Sequence, residues 1–145
     1  MEVAERNHDK DSLILIGIKE NGIVIAEKIA SMLKDIFRGN IEILWLSMDK
    51  KNPGGIVMSK SLSFNGTNVI LIDDVANSGR TMFYALQPLL QDHPSQVETL
   101  ALLERTHKQF PIELNYVGHS VSTTKDEMIV VQVNEGEVEG AFFKG

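Results

Sequence analysis

The stretch that most limits how this chain can fold is Val69-Ile70-Leu71-Ile72-Asp73-Asp74-Val75-Ala76-Asn77-Ser78-Gly79-Arg80-Thr81. Four apolar, mostly β-branched residues in a row, entered from the turn pair Asn65-Gly66, predict a fully buried strand. Strands of that kind belong to parallel sheets covered by helices on both faces. Two carboxylates end the run, and a small polar loop follows from Ala76 to Thr81. Met82, Ala85, Leu86 and Leu89 then recur at the i, i+3, i+4, i+7 spacing of an amphipathic helix. In open α/β sheets ligands bind outside the carboxyl ends of strands, so this junction is the candidate binding edge.

Each part of the junction has a chemical reading. A loop such as Asn77–Thr81 at a helix start presents backbone N–H groups, and with the positive end of the helix dipole these suit a phosphate. Gly79 permits close backbone approach, and the Ser78 and Thr81 hydroxyls add hydrogen bonds. Asp73 and Asp74 repel a phosphate; as acceptors they suit sugar hydroxyls or the shell of a Mg²⁺ ion. A phosphate site and a pair of diol acceptors a few residues apart describe a ribose 5-phosphate. The competing reading is an ordinary strand–turn–helix with a solvated acidic cap. A P-loop is excluded: its nearest glycine spacing, Gly17 to Gly22, continues Ile23-Val24 where a lysine and a hydroxyl are required.

The rest of the chain supports an α/β layout. Residues 1–10 read as the end of a helix stopped at Asn7, short enough to suggest a longer first helix that is missing or frayed. Leu13–Ile18 is a second buried strand. The helix expected from about Ile23 to Phe37 carries one stripe of Ile23, Ala26, Ala30, Leu33 and Phe37 and another of Ile25, Ile29, Met32 and Ile36. Such a helix is covered on two sides, one by the sheet and one by another helix or a second subunit. Gly17 and Gly22 bracket Lys19 at the strand end, a phosphate-accessible position, although Lys19 alone reads equally well as a surface lysine. Ile41–Ser47 is a third strand. Asp49–Gly55 is a turn-rich break that fits either a solvated connection or a lid in which Lys50 or Lys51 supplies charge. Met58–Phe64 reads as a hairpin arm. Pro88 should kink or tighten its helix by removing the bond to Tyr84. Val97–Leu103, Leu114–Gly118 and Met128–Val133 are further strands, and Asn134–Gly145 reads as an acidic, Gly-rich tail with Phe142-Phe143 docking somewhere.

Composition narrows the function. The chain's 145 residues, 43% hydrophobic and 23% charged, suit one domain, 1–145, with one core. No apolar run approaches the ~18 residues of a membrane span. The polar start MEVAERNHDKD has no signal-peptide core, so a cytoplasmic protein is the expectation. Without cysteine, disulfides and thiolate sites are excluded. A net charge of −6 disfavours general nucleic-acid binding but leaves a local basic patch open. His8, His93, His107 and His119 are scattered without zinc spacing, and only His107, near Arg105, is placed near a site.

Residues 69–81 resemble the phosphoribosyl-pyrophosphate (PRPP) signature of type I phosphoribosyltransferases at all thirteen positions. Further on, Leu103-Glu104-Arg105-Thr106-His107-Lys108-Gln109-Phe110-Pro111-Ile112, then Asn115-Tyr116-Val117-Gly118, then Ser122-Thr123-Thr124-Lys125-Asp126-Glu127, resemble one branch. That is the PyrR-like branch, uracil phosphoribosyltransferases that also regulate pyrimidine genes by binding messenger RNA. The resemblance spans about residues 2 to 133. It implies a mainly parallel twisted sheet with helices on both faces and transfer of 5-phosphoribose from PRPP to a nucleobase, releasing pyrophosphate. Mg²⁺ is the implied cofactor, and PRPP, a nucleobase or nucleoside monophosphate and a second copy of the chain are the implied partners. Asp73 and Asp74 are implied at the ribose hydroxyls and at Mg²⁺, directly or through water. Ala76, Asn77, Ser78, Gly79, Arg80 and Thr81 are implied at the 5-phosphate, and Lys19, Glu20, Asn21 and Gly22 at pyrophosphate. Tyr116, Val117 and Gly118 are implied at the base, largely through backbone groups, with Arg105 and His107 nearby.

Departures from the pattern matter. The uracil branch reads Gly-Ile-Lys-Thr-Arg-Gly where this chain has Gly17-Ile18-Lys19-Glu20-Asn21-Gly22. A cation is lost and an anion gained, so polyanion binding should weaken unless Glu20 points away or a metal bridges it. Glu104, Thr106 and Ser122 replace Asp, Gly and Pro. Purine members often carry an acid at the position of Asn77, whose amide cannot take up a proton; this leans toward a pyrimidine such as uracil. Two functions stay open. One is the enzyme. The other is a weakly catalytic or non-catalytic nucleotide sensor that regulates RNA or a protein partner. Glu20-Asn21, Thr106 and the short 49–55 loop favour the sensor, while net charge disfavours RNA.

Overall fold

The structure, a computed structural model, describes residues 2–49, 55–121, 128–134 and 137–144. In chain order the elements are α1 (Glu2–Arg6), β1 (Ser12–Ile18), α2 (Asn21–Leu33), β2 (Asn40–Met48), β3 (Ile56–Met58) and β4 (Asn68–Ala76). There follow α3 (Arg80–Ala85), α4 (Gln87–Leu90), β5 (Gln96–Arg105), β6 (Tyr116–Val121), β7 (Met128–Asn134) and β8 (Glu137–Lys144). Six strands form one sheet in the order β3-β2-β1-β4-β5-β6, parallel throughout except for β3, which runs antiparallel to β2.

The apolar runs explain the centre of this order. Every residue from Leu13 to Ile18 and from Val69 to Ile72 is buried. Alternate side chains point to opposite faces, so a strand apolar at each position needs cover on both. On one face Ile14, Ile16, Leu44, Val69 and Leu71 pack with Met82, Ala85 and Leu89 of α3 and α4. On the other, Leu13, Leu15, Ile70 and Ile72 pack with Ile25, Ala26, Ile29 and Leu33 of α2 and with Val3 of α1. From β1 the chain crosses through α2 to β2; from β4 it crosses through α3 and α4 to β5, away from β1. The strand order therefore reverses between β1 and β4, and a crevice opens at their carboxyl ends.

Two glycines close that junction. A Cβ on Gly22 would lie 2.5 Å from the Ile72 carbonyl oxygen and 3.3 Å from the Asp73 Cα. A Cβ on Gly17 would lie 2.4 Å from the Ile23 Cα. The glycines thus seat the start of α2 against the end of β4, a packing role beside the phosphate role read from their spacing.

Some expectations are corrected. The helix expected to reach Phe37 ends at Leu33, where the Ile36 and Phe37 amides both donate to the Leu33 carbonyl. The Met58–Phe64 arm does not form: Ile56–Met58 pairs back on Leu46–Met48, and residues 59–67 hold no strand. Ser59 ends that pairing, its amide donating to the Trp45 carbonyl and its Oγ accepting from the Trp45 amide. The supposed tail instead contains β8, antiparallel to β7 in a separate two-stranded sheet with Ile129 opposite Phe143 and Val130 opposite Phe142. Pro88 acts as expected: α3 stops at Ala85, and Pro88 sits in the first turn of α4, where a missing N–H costs nothing. Among the described residues no helix is long and apolar enough to cross a membrane.

Gly22→Ala should destabilise the protein by about 1–3 kcal/mol, because the new methyl meets backbone rather than a flexible side chain. Urea denaturation reads this directly; an unchanged midpoint would contradict the close approach.

Candidate active site

A pocket of about 780 Å³ lies at the point where the strand order reverses. Three strand ends line it: Ile18 to Asn21 after β1, Ser47 and Met48 at the end of β2, and Asp73 to Met82 from β4 into α3. All of Lys19, Glu20, Asn21, Asp73, Asp74, Ala76, Asn77, Ser78, Gly79, Arg80 and Thr81 are among the lining residues. Gly22 stands behind them, buried against β4.

The acidic pair is held by its own backbone. Asp73 Oδ1 accepts from the Asp74 amide at 2.8 Å, and Asp74 Oδ1 accepts from the Val75 amide at 2.8 Å. Asp74 Oδ2 accepts from Asn21 Nδ2, also at 2.8 Å. Asn21 is one of the two departures in the 17–22 loop, and its amide reaches across the junction to orient one carboxylate. Both aspartates are half-buried, as expected where a core strand runs out into a solvent-filled cleft.

The next loop is built on Gly79, which has φ 86° at the start of α3, a conformation open to glycine at little cost. The segment after β5 supports it from behind. The Ser78 carbonyl accepts from the Gln109 amide at 2.9 Å and the Phe110 amide at 3.1 Å. Lys108, Phe110 and Ile112 stand 3.4 Å from where a Gly79 Cβ would be. The Arg80 amide donates to Ser78 Oγ at 3.2 Å. Helix α3 has only six residues, so its dipole is small, and an anion at this loop would be held mainly by backbone N–H groups.

Across the pocket, Lys19 is exposed, and its amide donates to the Leu46 carbonyl at 2.8 Å. Its Nζ lies 4.0 Å from the centroid of the Trp45 ring. The Lys19–Glu20 peptide is cis. Glu20 is exposed and is among the residues lining the pocket.

Tyr116, Val117, Gly118, Arg105 and His107 do not line this pocket. The resemblance places residues 116–118 at the base largely through backbone groups; the Tyr116 side chain itself is engaged elsewhere. Its phenol is 5% exposed and packs with Val3, Leu13 and Leu100 on the α2 face. Its hydroxyl donates to Glu98 Oε1 at 2.8 Å and accepts from Asn7 Nδ2 at 3.1 Å, while the Arg6 guanidinium lies 5.1 Å from the ring centroid. The residue anchors α1 to the sheet. Burial, then the bond to Glu98 and the charge of that carboxylate, push the phenol from 10.0 up to about 12. Val117 and Gly118 pass beside β5, with Val117 opposite Ala101. Arg105 is buried at the end of β5, and His107 is exposed. Lys50, Lys51 and Ser122–Glu127 lie outside the described residues.

Sequence reasoning missed Ser47 and Met48 as lining residues, and the Asn21–Asp74 bond. Ser47 and Met48 reach the site only because β2 pairs with β1, with Ile18 opposite Leu46. Nothing local to residues 47–48 signals that.

Fold and pocket together define a class. The chain belongs to the phosphoribosyl transferase domain family, whose model matches residues 2–135, and is a pentosyltransferase of the type I fold. Within that family it is PyrR-like. It is 34% identical over 146 residues to the "Bifunctional protein PyrR" of Bacillus cereus (strain AH820), covering 92% of this chain and 81% of that protein. It is 33% identical over 141 residues to the "Pyrimidine operon regulatory protein" of Lactococcus lactis subsp. lactis (strain IL1403), covering 92% and 80%. Its fold is shared with a hypoxanthine-guanine phosphoribosyltransferase of Bacillus anthracis: TM-score 0.67, 20% identity, 89% of this chain and 74% of that one. A hypoxanthine phosphoribosyltransferase of Trypanosoma cruzi gives TM-score 0.71 at 18% identity, covering 83% and 74%.

Tyr116→Phe should lower stability by about 1–3 kcal/mol through the stranded Glu98 and Asn7 groups, while leaving substrate affinity unchanged. The sign of the pH effect follows from the raised phenol. Below pH 10 both folded and unfolded states hold the proton. Between 10 and about 12 only the folded state does, so the wild type loses stability as pH rises through that window. Denaturation midpoints measured over that range should fall more steeply for wild type than for Tyr116→Phe.

Proposed function

We propose that the protein transfers the 5-phosphoribosyl group of PRPP to a pyrimidine base, uracil favoured, and releases pyrophosphate. The observation that carries this reading is one pocket lined by the acidic pair, the Ala76–Thr81 loop and the Lys19–Asn21 loop together. In this reading Asp73 and Asp74 hold the ribose hydroxyls, the 76–81 loop binds the 5-phosphate, and Lys19 to Gly22 bind pyrophosphate. The work is positioning and charge stabilisation of an oxocarbenium-like centre. Asn77 supports a pyrimidine, since its amide cannot act as a base toward a ring nitrogen. The name of one relative, "Pyrimidine operon regulatory protein", points the same way.

The residues fit a magnesium ion. Among the described residues no group of three His, Cys, Asp or Glu side chains gathers closely enough to hold a metal, but the adjacent carboxylates Asp73 and Asp74 line the pocket together, with Glu20 also on its lining. Mg²⁺ is commonly bound that way, through one or two carboxylates plus substrate oxygens and water. When bound, the ion would neutralise pyrophosphate charge next to Glu20. A homodimer is part of the reading: Met32 and Ile36, both on the second apolar stripe of the 23–37 segment, are each 53% exposed.

A second reading is favoured by Glu20 on the pocket rim and by Asn21 standing where the branch has an arginine. In it the protein is a weakly catalytic nucleotide sensor that acts on RNA or a protein partner, as the regulatory name of one relative suggests.

The double change Asp73→Asn with Asp74→Asn should lower kcat/KM for PRPP by at least about 100-fold in a uracil-dependent assay of pyrophosphate release. Turnover that survives the change would remove the ribose assignment. A wild type that binds uridine monophosphate but never turns over would favour the sensor.

A further inference from the structure

We propose that Trp45 is a positioning residue for Lys19: its indole face holds the lysine ammonium at the pocket rim, clear of the acidic pair, until a polyanion takes it. The inference rests on the reading of residues 19–22 as the pyrophosphate loop. It concerns a residue outside both strand-end motifs.

Lys19 lines a pocket shared with Asp73 and Asp74, and Glu20 is its neighbour. An ammonium in such company would be expected to pair with a carboxylate. Among the described residues it pairs with none, and its Nζ instead sits 4.0 Å from the centroid of the Trp45 ring. The placement follows from the register. Gly17 is opposite Trp45 and Ile18 opposite Leu46, and the Lys19 amide donates to the Leu46 carbonyl at 2.8 Å. Trp45 is itself held from the far side, where its amide donates to Ser59 Oγ at 3.0 Å and its carbonyl accepts from the Ser59 amide at 3.0 Å.

The chemistry suits a temporary partner. A cation over an aromatic face at an exposed site is held weakly, whereas a charge-assisted bond to a phosphate oxygen is strong. An ion pair with Asp73 or Asp74 would have to be broken before Lys19 could meet a phosphate, and it would occupy the carboxylates assigned to the ribose. The π face avoids both costs. This matters more here than in a loop carrying a second cation, because the arginine of the related pattern is replaced by Asn21.

Trp45 is the only tryptophan of the chain, so its emission reports the contact without a label. The first comparison is wild type against Lys19→Met with no substrate. A change in emission intensity or maximum is expected, and identical spectra would overturn the proposal. The second is titration of wild type with pyrophosphate and Mg²⁺, followed by emission and by calorimetry together. A saturable emission change that Lys19→Met lacks is expected; calorimetric binding with unaltered emission would overturn the proposal. The third is kinetic. Trp45→Leu should raise KM for PRPP about 3- to 10-fold with kcat within about twofold, and Trp45→Phe should restore most of it. Adding Trp45→Leu to Lys19→Met should cost nothing more, since Trp45 acts through Lys19. Additive losses would make Trp45 a packing residue only. A wild type that binds neither pyrophosphate nor PRPP would overturn the reading of the loop, and the emission comparison without substrate would still decide the contact.

Discussion

The structure depends on β1 and β4 lying side by side with both faces buried. Leu13 to Ile18 and Val69 to Ile72 have no polar face to offer water, so each must be flanked by strands and roofed by helices. That requirement puts α2 on one face and α3 with α4 on the other. It also makes the two crossovers leave in opposite directions, which opens the cleft. The acidic pair then falls where β4 emerges from the core, the one part of the strand where carboxylates keep their water. Gly17 and Gly22 let α2 begin directly against the end of β4, so the two loops that line the cleft share a wall.

The cleft is stitched together by bonds that cross between elements. Asn21 donates to Asp74, joining the loop after β1 to the end of β4. The Ser78 carbonyl accepts from Gln109 and Phe110, joining the loop after β4 to the segment after β5. The departure at residue 21 therefore has a structural use. Against the branch pattern, the position gives up a cation and gains a tie to the acidic pair. Glu20 lines the pocket, and Lys19 is the cation of that loop. On this account Mg²⁺ matters more to anion binding here than it would beside an arginine.

What could be read in advance followed from local physics. The two apolar runs gave β1 nearly to the residue and the buried half of β4, which continues through the acidic pair to Ala76; the helical spacing gave α2 and α3, and Pro88 marked the break between α3 and α4. Most of the pocket lining lies in two strand-end loops whose glycine, hydroxyl and carboxylate content is unusual enough to notice. What was hidden depends on pairing across the chain. Ser47 and Met48 join the pocket only through the β1–β2 register. The place of the Tyr116 ring was hidden too: it lies on the α2 face, where Glu98 and Asn7 meet the hydroxyl. The acidic segment after Asn134 hid β8, because glutamates and glycines mask a strand whose order comes from pairing with β7. Ile56–Met58 is three residues long, too short for its own periodicity to announce it.

The central claim is that this cleft binds PRPP through magnesium, the acidic pair and the two loops acting together. The most direct measurement is calorimetric titration of the protein with PRPP in the presence and absence of Mg²⁺. Binding in the micromolar range that disappears when Mg²⁺ is removed is the predicted result. Tight uridine or guanosine monophosphate binding with no PRPP binding at any magnesium concentration would contradict it: the 5-phosphate loop would then work without the pyrophosphate loop, and the protein would be a nucleotide sensor.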